Sequence, residues 1–252
     1  MVVARAAKVP HEVVWHELEC GSYEADLALW LELAARACGS VLDIGAGTGR
    51  VSRVLARAGH RVTALEREPG LLDALRAEAI EPPIDGALAD ARDFSLARRD
   101  FGLCIVPMHT VQLFGGADQR AAFLRCARAH MRPRGTLAIA ILPDAEPFDC
   151  ELGQVGPVPE ATCVDGLRFI STPTRVAVEE STITIERERR VRPLARGATS
   201  AIARERDRVE LARLSAAQMH AEALAAGFTR ESTRAVPATD EHVGSEVVIV
   251  RA

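Results

Sequence analysis

Three glycines at alternate positions are the residues of this chain with the clearest chemical meaning. Gly45, Gly47 and Gly49 follow a short apolar run, Val41–Ile44, that contains one acid, Asp43. Glycine accepts positive φ angles and carries no Cβ, so a ligand can lie directly against the backbone of such a loop. The residues after the loop have helical spacing. Strand, glycine loop and helix in this order are typical of the first unit of a nucleotide-binding sheet.

The spacing of the glycines separates two kinds of nucleotide. The fingerprint for a dinucleotide pyrophosphate is G-x-G-x-x-G, and here Arg50 stands in place of its third glycine. A sulfonium nucleotide with an amino-acid tail brings positive charge instead, which suits an acid such as Asp43. The order hydrophobic-hydrophobic-Asp-x-Gly-x-Gly-x-Gly resembles motif I of the class I S-adenosylmethionine (SAM) methyltransferases. The resemblance implies that this loop, with Ala46 at its centre, holds SAM.

A second acid follows at the spacing that the same family uses. Glu66 closes the second predicted strand, 17 positions after Gly49 (66 − 49). A carboxylate there can accept hydrogen bonds from both ribose hydroxyls, because it offers two acceptor oxygens. Arg67 beside it would stack on adenine or, in an oxidoreductase, bind a 2′-phosphate.

A third match follows the third predicted strand. Asp90 and Ala91 resemble the methyltransferase motif whose carboxylate accepts from the adenine amino group and whose next backbone amide meets the ring. Asp85 and Asp93 lie close enough to leave the register open. Leu71 is expected to cover the adenine. The cofactor-binding residues implied by the resemblance are Tyr23, Asp43, Gly45, Ala46, Gly47, Gly49, Glu66, Arg67, Leu71, Asp90, Ala91, Val106 and Pro107, with Tyr23 as the aromatic that closes over SAM.

The reacting centre is expected beyond the carboxyl end of the fourth strand, where ligands of such sheets bind. Methyl transfer needs alignment of the reactants and, for a protonated nucleophile, removal of a proton. His109 is the candidate general base, with an unperturbed pKa of about 6.5. Met108 and Gln112 on the same segment are expected to line the pocket.

Six more residues are candidates for the acceptor pocket. Trp15, His16 and Trp30 precede the glycine loop, although a tryptophan there also suits a lid helix as an anchor. Asp240, Glu241 and His242 lie between the last two predicted strands, where they suit proton handling, recognition of a polar acceptor, or an ordinary hairpin turn. These histidines and acids lack the local spacing of metal ligands, so no metal is expected.

Composition narrows the substrate class. The 252 residues carry a net charge of −4 and only 4% aromatic residues, which disfavours a nucleic-acid partner. The Asp/Asn-Pro-Pro-aromatic motif of methyltransferases that act on DNA bases or protein glutamine is missing, and so is the Pro-Cys motif of cytosine-C5 enzymes. No pair of glutamates frames a loop for an arginine substrate, so a small-molecule acceptor remains. No apolar run approaches the roughly 20 residues of a membrane span. Six cysteines without a C-x-x-C pair suit reduced thiols in the cytoplasm.

The order of elements predicts the fold class. Apolar strands at 41–44, 61–65, 84–89, 101–106 and 136–142 alternate with helices at 71–79 and 118–130, which indicates a doubly wound, mostly parallel sheet. A helix at 216–226 and two final strands would complete the seven-stranded, Rossmann-like methyltransferase sheet. Between them, three long segments at 168–178, 181–191 and 201–211 predict an antiparallel β insertion after strand five. The charge run at the end of the second segment is expected to be a solvated strand face; it comprises Arg187, Arg189, Arg190 and Arg192.

Four segments follow from these elements. Residues 1–40 form a helical cap, 41–142 the SAM-binding core, 143–214 the insertion, and 215–252 the helix and hairpin that complete the sheet. The insertion is expected to be a lid or a homodimer surface.

The sequence thus predicts a SAM-dependent methyltransferase that acts on an oxygen or nitrogen of a small molecule and releases S-adenosylhomocysteine (SAH). Two alternatives stay open. Arg67 favours an NADP-dependent oxidoreductase, which Arg50 opposes. A non-methylating SAM-binding protein of the same fold is the other, because methyl transfer needs few protein groups.

Overall fold

A seven-stranded sheet forms the centre of the molecule. The computed structural model describes residues 8–194, 202–239 and 242–252. The strand order is β3-β2-β1-β4-β5-β12-β11. The first five of these strands are parallel, β12 runs antiparallel to β5, and β11 runs antiparallel to β12. The strands are β1 (Val41–Ile44), β2 (Val62–Glu66), β3 (Asp85–Leu88), β4 (Phe101–Val106), β5 (Met131–Ile141), β11 (Thr229–Val236) and β12 (Ser245–Arg251).

Helices cover both faces of this sheet, as the apolar central strands require. Every residue of β1 and β4 is buried, which fits parallel strands enclosed on both sides. The helices are α1 (His11–His16), α2 (Leu27–Arg36), α3 (Arg50–Arg57), α4 (Pro69–Ala77), α5 (Ala117–His130) and α6 (Ala216–Ala225). Helix α1 continues into a π-helical turn, Glu17–Gly21, and a 3₁₀ turn, Thr110–Phe114, follows β4. The predicted fold class is confirmed, with element ends shifted by a few residues.

A second, antiparallel sheet follows β5, as predicted. Its strands are β6 (Phe148–Asp149), β7 (Glu160–Val164), β8 (Leu167–Val178), β9 (Thr182–Pro193) and β10 (Ala203–Ala212). The order is β10-β9-β8-β6, and β7 also pairs with β8. The sequence predicts only the three long strands, because β6 and β7 are short and lie in or beside a stretch rich in proline and glycine.

One face of the second sheet packs against the helical cap; we call it the inner face. The Trp15 ring meets Phe169 edge-on, with centroids 5.0 Å apart. Arg189 donates to both carboxylate oxygens of Glu19 at 2.8 and 2.6 Å, and Ser171 donates to the same group at 2.8 Å. Burial acts to raise the pKa of Glu19, but these hydrogen bonds and the charges of Arg187 and Arg189 hold it below its usual value. The inner face therefore anchors α1 and the π-helical turn.

The arginine-rich segment of β9 is only in part the solvated face that its charge suggests. Side chains alternate along a strand. Arg189 points inward to Glu19, so Arg187 shares that face, whereas Arg190 and Arg192 point outward. The interpretation of all four arginines as a solvated face is therefore wrong, because alternate side chains of a strand lie on opposite faces of the sheet.

Gln112 connects the two sheets. Its side-chain nitrogen donates to the carbonyls of Leu142 at 2.9 Å and Ala212 at 2.7 Å, and its oxygen accepts from the Leu142 amide at 2.7 Å. These partners lie at the ends of β5 and β10. The amide of Gln112 is thus fully used in the junction.

Replacing Gln112 by alanine should lower the free energy of unfolding by about 2 to 6 kcal/mol. The change leaves the buried amide and carbonyl of Leu142 without partners, and each such group costs about 1 to 3 kcal/mol. Urea unfolding measures the loss. Gln119→Ala, at an exposed position of α5, is the matched control and should change little. Equal effects of the two variants would contradict the junction role.

Candidate cofactor and active site

A cavity of about 270 Å³ opens at the carboxyl ends of β1 to β4. The loops after these strands supply most of its wall, as the topology of a parallel sheet dictates. Of the residues expected to bind cofactor or acceptor, those that line the cavity are His16, Asp43, Gly45, Ala46, Glu66, Arg67, Leu71, Asp90, Ala91, Pro107 and Met108.

The three glycines have different reasons to be glycine. All have positive φ, +67° at Gly45, +58° at Gly47 and +95° at Gly49. Gly45 lines the cavity, and a Cβ there would lie 2.5 Å from the Thr110 methyl group. At Gly49 a Cβ would lie 2.3 Å from Leu75, so this residue allows α3 and α4 to pack. Gly45 thus borders a ligand space, whereas Gly49 serves the core.

His16 covers the middle of the loop. A Cβ on Gly47 would lie 2.3 Å from the His16 ring, and Nδ1 of His16 is 3.3 Å from the Thr48 hydroxyl. Burial lowers the pKa of His16, with smaller opposing effects from nearby carboxylates. Its neighbour Trp15, an expected pocket residue, instead packs against the second sheet. Successive residues of α1 point in different directions, so His16 reaches the cavity and Trp15 does not.

Glu66 organises the loop as well as lining the cavity. Its Oε2 accepts from the Gly47 amide at 2.8 Å, and its Oε1 accepts from the amides of Arg67 at 2.8 Å and Glu68 at 3.0 Å. Each carboxylate oxygen offers about two acceptor sites. The group therefore keeps acceptor capacity toward the cavity while its position is fixed by three backbone donors.

The strand-three motif lies at the cavity in the predicted register. Asp90 lines the wall, and Arg92 holds it through both oxygens, with Nε at 2.9 Å from Oδ1 and Nη2 at 2.6 Å from Oδ2. The hydrogen bonds from Arg92 lower the pKa of Asp90 to about 2. Arg67 is exposed at the rim, where its Nε lies 3.2 Å from Glu68. Neither alternative acid, Asp85 or Asp93, lines the cavity.

Asp43 holds a buried carboxylate at the base of the loop. Oδ2 accepts from the Ser52 hydroxyl at 2.7 Å, whereas Oδ1 is buried without a hydrogen-bond partner in the described part of the chain. Burial raises the pKa of Asp43 to about 7, against the hydrogen bond from Ser52 and the charge of Arg50. An unpaired acceptor on the cavity wall suits a cationic or donor group of a ligand.

Arg50 explains why the third glycine of a dinucleotide loop is absent. Its guanidinium donates to both oxygens of Asp26 at 2.6 and 2.8 Å and to the Tyr23 carbonyl at 2.6 Å. The Trp30 indole donates to the same carboxylate at 2.8 Å. Trp30 is fully buried, so its expected role in the acceptor pocket is wrong and it belongs to the core. The sequence signal for this network is only the Asp-x-x-x-Trp spacing on α2.

The segment after β4 has an unusual backbone. Val106 is fully buried in the core, so its side chain does not reach the cavity, whereas Pro107 and Met108 line it. Met108 and His109 both adopt left-handed conformations, with φ of 53° and 61°. Two successive non-glycine residues in this region cost energy, and such strained residues cluster at functional sites.

His109 lies beside the cavity rather than in its wall. Burial lowers the pKa of His109 to about 4, although the charge of Asp26 acts in the opposite direction. The imidazole is therefore neutral near pH 7. Gln112, expected to line the pocket, is sequestered in the junction between the sheets.

Tyr23 and His242 form a buried pair at the end of the cap. Their rings meet edge-on with centroids 5.0 Å apart; the Tyr23 hydroxyl is buried beside Ser245, and His242 Nε2 is buried without a hydrogen-bond partner among the described residues. The guanidinium of Arg50 lies 5.2 Å from the Tyr23 ring centroid. The expected acids Asp240 and Glu241 lie outside the described residues.

Sequence analysis missed some residues of the wall. Cys20 and Phe114 line the cavity, and neither belongs to a motif with a recognisable spacing, whereas His16, a candidate pocket residue from the sequence, does line it. Within the described residues no group of three or more His, Cys, Asp or Glu side chains is arranged to hold a metal ion. Nor is any described helix long and apolar enough to cross a membrane.

Comparison with known proteins agrees with this geometry. The family model described as "Methyltransferase domain" matches residues 41–135. A cypemycin N-terminal methyltransferase from Streptomyces is 30% identical over 107 residues, which is 42% of this chain and 43% of that protein. The chain thus aligns with less than half the length of this curated relative.

Solved structures match over nearly the whole chain. A SAM-bound amino pentose methyltransferase of calicheamicin biosynthesis from Micromonospora echinaspora superposes with a TM-score of 0.68 at 18% identity, covering 98% of this chain and 99% of its own. A sugar N-methyltransferase from Streptoalloteichus gives a TM-score of 0.68 at 17% identity, covering 100% and 97%.

The fold is therefore that of the class I SAM-dependent methyltransferases, and the resemblance noted in the sequence is confirmed. Residues 41–135 are the part that is similar to the methyltransferase domain model.

The buried carboxyl of Asp43 should make the stability of the unliganded protein depend on pH. Its pKa rises from 3.8 to about 7 on folding, so the folded state binds a proton that the unfolded state has lost. The free energy of unfolding should then fall as pH rises from about 4 to about 7 and level off above.

Asp43→Asn, which mimics the protonated acid, isolates this contribution. A shift of one pKa unit corresponds to about 1.4 kcal/mol. The free energy of unfolding of the variant should therefore equal that of the natural protein near pH 4 and be higher by about 4 kcal/mol near pH 8. Denaturant unfolding across this range measures the difference. If the difference in the free energy of unfolding between the two proteins does not change with pH, Asp43 is ionised over this whole pH range.

Proposed function

We propose that this protein is a SAM-dependent methyltransferase that transfers a methyl group to a nitrogen or oxygen of a small molecule. The observation that carries the proposal is convergence at one cavity. The loop after β1, Glu66 after β2 and the Asp90-Ala91 pair after β3 all line it, in the order of a class I methyltransferase.

The residues present fit the cofactor. Glu66 would accept from the ribose hydroxyls with the acceptor capacity that its three backbone donors leave. Asp90 and Ala91 would meet the adenine, with Leu71 across the cavity. Asp43 Oδ1, buried and unpaired, would take a donor of the positively charged amino-acid tail. The cavity thus matches SAM in its hydrogen-bond donors and acceptors and in the backbone without a side chain at Gly45.

The reaction requires little from the protein beyond positioning. SAM supplies a methyl group made electrophilic by its sulfonium. A lone pair of the acceptor forms the new bond to the methyl carbon as the carbon–sulfur bond breaks, and the acceptor loses one proton. Met108, Cys20 and His16 border the cavity and would restrict the approach of the acceptor.

His109 is our candidate for receiving the proton. Its imidazole is neutral near pH 7, so one ring nitrogen can accept a proton. Its backbone adopts a left-handed conformation that residues other than glycine disfavour.

Most of these similar proteins act on nitrogen. The structural neighbours include an amino pentose methyltransferase and a sugar N-methyltransferase, and one curated relative is an N-terminal methyltransferase, whereas another, 42% identical over 64 residues, is an O-methyltransferase. We infer a polar small molecule bearing an amine, methylated in the cytoplasm.

Calorimetric titration with SAH, with NADPH as the control, tests the proposal directly. We expect SAH to bind with a Kd of about 1 μM or tighter, about −8 kcal/mol, and NADPH not to bind. Binding of NADPH without SAH would establish the oxidoreductase alternative. Tight SAH binding without SAH production from SAM across a panel of amino sugars and amino acids would instead favour the non-methylating alternative.

His109→Asn should lower turnover about 10²-fold or more while leaving the Kd for SAH within about twofold. Asparagine is the informative substitution because it tolerates the left-handed backbone at this position. Turnover is followed as SAH formation with an active acceptor. His60→Ala, at the opposite end of β2, is the control and should retain full turnover. If His109→Asn also retains full turnover, His109 only shapes the pocket and does not receive the proton.

A further inference from the structure

Arg187 occupies the centre of the inner face of the second sheet. It shares this face with Arg189, two residues along β9, whose contact with Glu19 fixes the direction of both side chains. Its cross-strand neighbours are Pro173 on β8 and Asp207 on β10. The Arg187 side chain therefore lies on the face of the sheet that is turned toward the cap, and it is only partly exposed.

The inner face is apolar at both ends and polar at this centre. At one end Phe169 and Val191 pack with the cap, and at the other Ile183 and Leu211 pack with Leu142. If the second sheet served only to pack against the cap, we would expect apolar residues to continue between these two clusters. The polar residues around Arg187 therefore indicate a role other than packing.

Arg187 has no ion-pair partner in the described part of the chain, although a carboxylate stands directly opposite. Asp207 places its Oδ1 3.0 Å from Arg189 instead, and its Oδ2 is buried without a hydrogen-bond partner. Glu19 is likewise committed to Arg189 and Ser171. A partly buried cation and a buried acceptor are thus both left over. Such groups are costly unless something else pairs with them.

This unpaired cation and the cofactor cavity lie against one turn of the cap. Arg187 shares the inner face with Arg189, which binds Glu19 on the π-helical turn, and Cys20, the next residue of that turn, lines the cavity. In keeping with this position, the charge of Arg187 acts to lower the pKa of both Glu19 and the Cys20 thiol. Arg187 and the cavity therefore face the same turn of the cap.

We propose that Arg187 binds an anionic group of the methyl acceptor, a carboxylate or a phosphate, with Asp207 Oδ2 accepting a hydrogen bond from a neighbouring hydroxyl or amine. A planar guanidinium matches either anion through two parallel hydrogen bonds. The identification of the ligand as the acceptor rests on the proposed function; the anion site itself does not.

Anion binding tests the site without knowledge of the acceptor. Malonate and inorganic phosphate would be titrated separately into the SAH-loaded protein and the unliganded protein, with binding followed by NMR chemical shifts. We expect saturable binding of at least one anion, and the one that binds distinguishes a carboxylate from a phosphate. Arg187→Gln should weaken it by about tenfold or more, the scale of charge-assisted hydrogen bonds.

Two variants make the result specific. Arg190→Gln removes the same charge from the outer face of the same strand and should leave the anion Kd unchanged. Arg187→Lys keeps the charge but loses the paired geometry and should bind with intermediate affinity; it also serves if Arg187→Gln does not fold. Thermal melting checks folding.

The outcomes separate this proposal from the proposed function. Absent or unsaturable anion binding, or equal losses in Arg187→Gln and Arg190→Gln, would overturn the site. Failure of SAH to bind would overturn the proposed function, while anion titration of the unliganded protein would still decide the role of Arg187.

Discussion

The buried ion pair between Arg50 and Asp26 is the contact on which the arrangement of the site depends. Arg50 opens α3 directly after the glycine loop, and Asp26 precedes α2 in the cap. Because the guanidinium also binds the Tyr23 carbonyl, the cap has one register against the loop. Ion pairs of this kind add little net stability but are very costly to break, since the remaining charge stays buried. The pair therefore specifies the arrangement of cap and loop.

The cap in turn joins the cofactor cavity to the second sheet. Within one short segment, Trp15 and Glu19 contact the sheet, whereas His16 and Cys20 line the cavity. Gln112 makes a second connection beyond β4. The insertion is thus packed against the core at two places, and the polar interval of its inner face is enclosed between them.

The sequence predicts the parts of the molecule that depend on local rules. Alternation of strands and helices, the glycine loop and the acid after β2 give the fold and the cavity wall, because chain order places the ends of parallel strands together. Trp30 and Gln112 show where this reasoning fails. Each is a residue type suited to a pocket, but each is satisfied by a partner distant in sequence or by packing that only the folded chain reveals. The face on which the Arg187 side chain lies likewise could not be predicted from the sequence, because it depends on how β9 pairs with its neighbouring strands.

The contact of His16 with Gly47 changes what a glycine motif means in this chain. At that position the space that a Cβ would need is occupied by an imidazole of the protein itself, not by a ligand. Residues 16 and 47 are therefore sterically coupled, although 31 positions separate them (47 − 16). A larger residue at 47 would fit only beside a smaller one at 16, so the two positions should covary among related sequences independently of the nucleotide that those proteins bind.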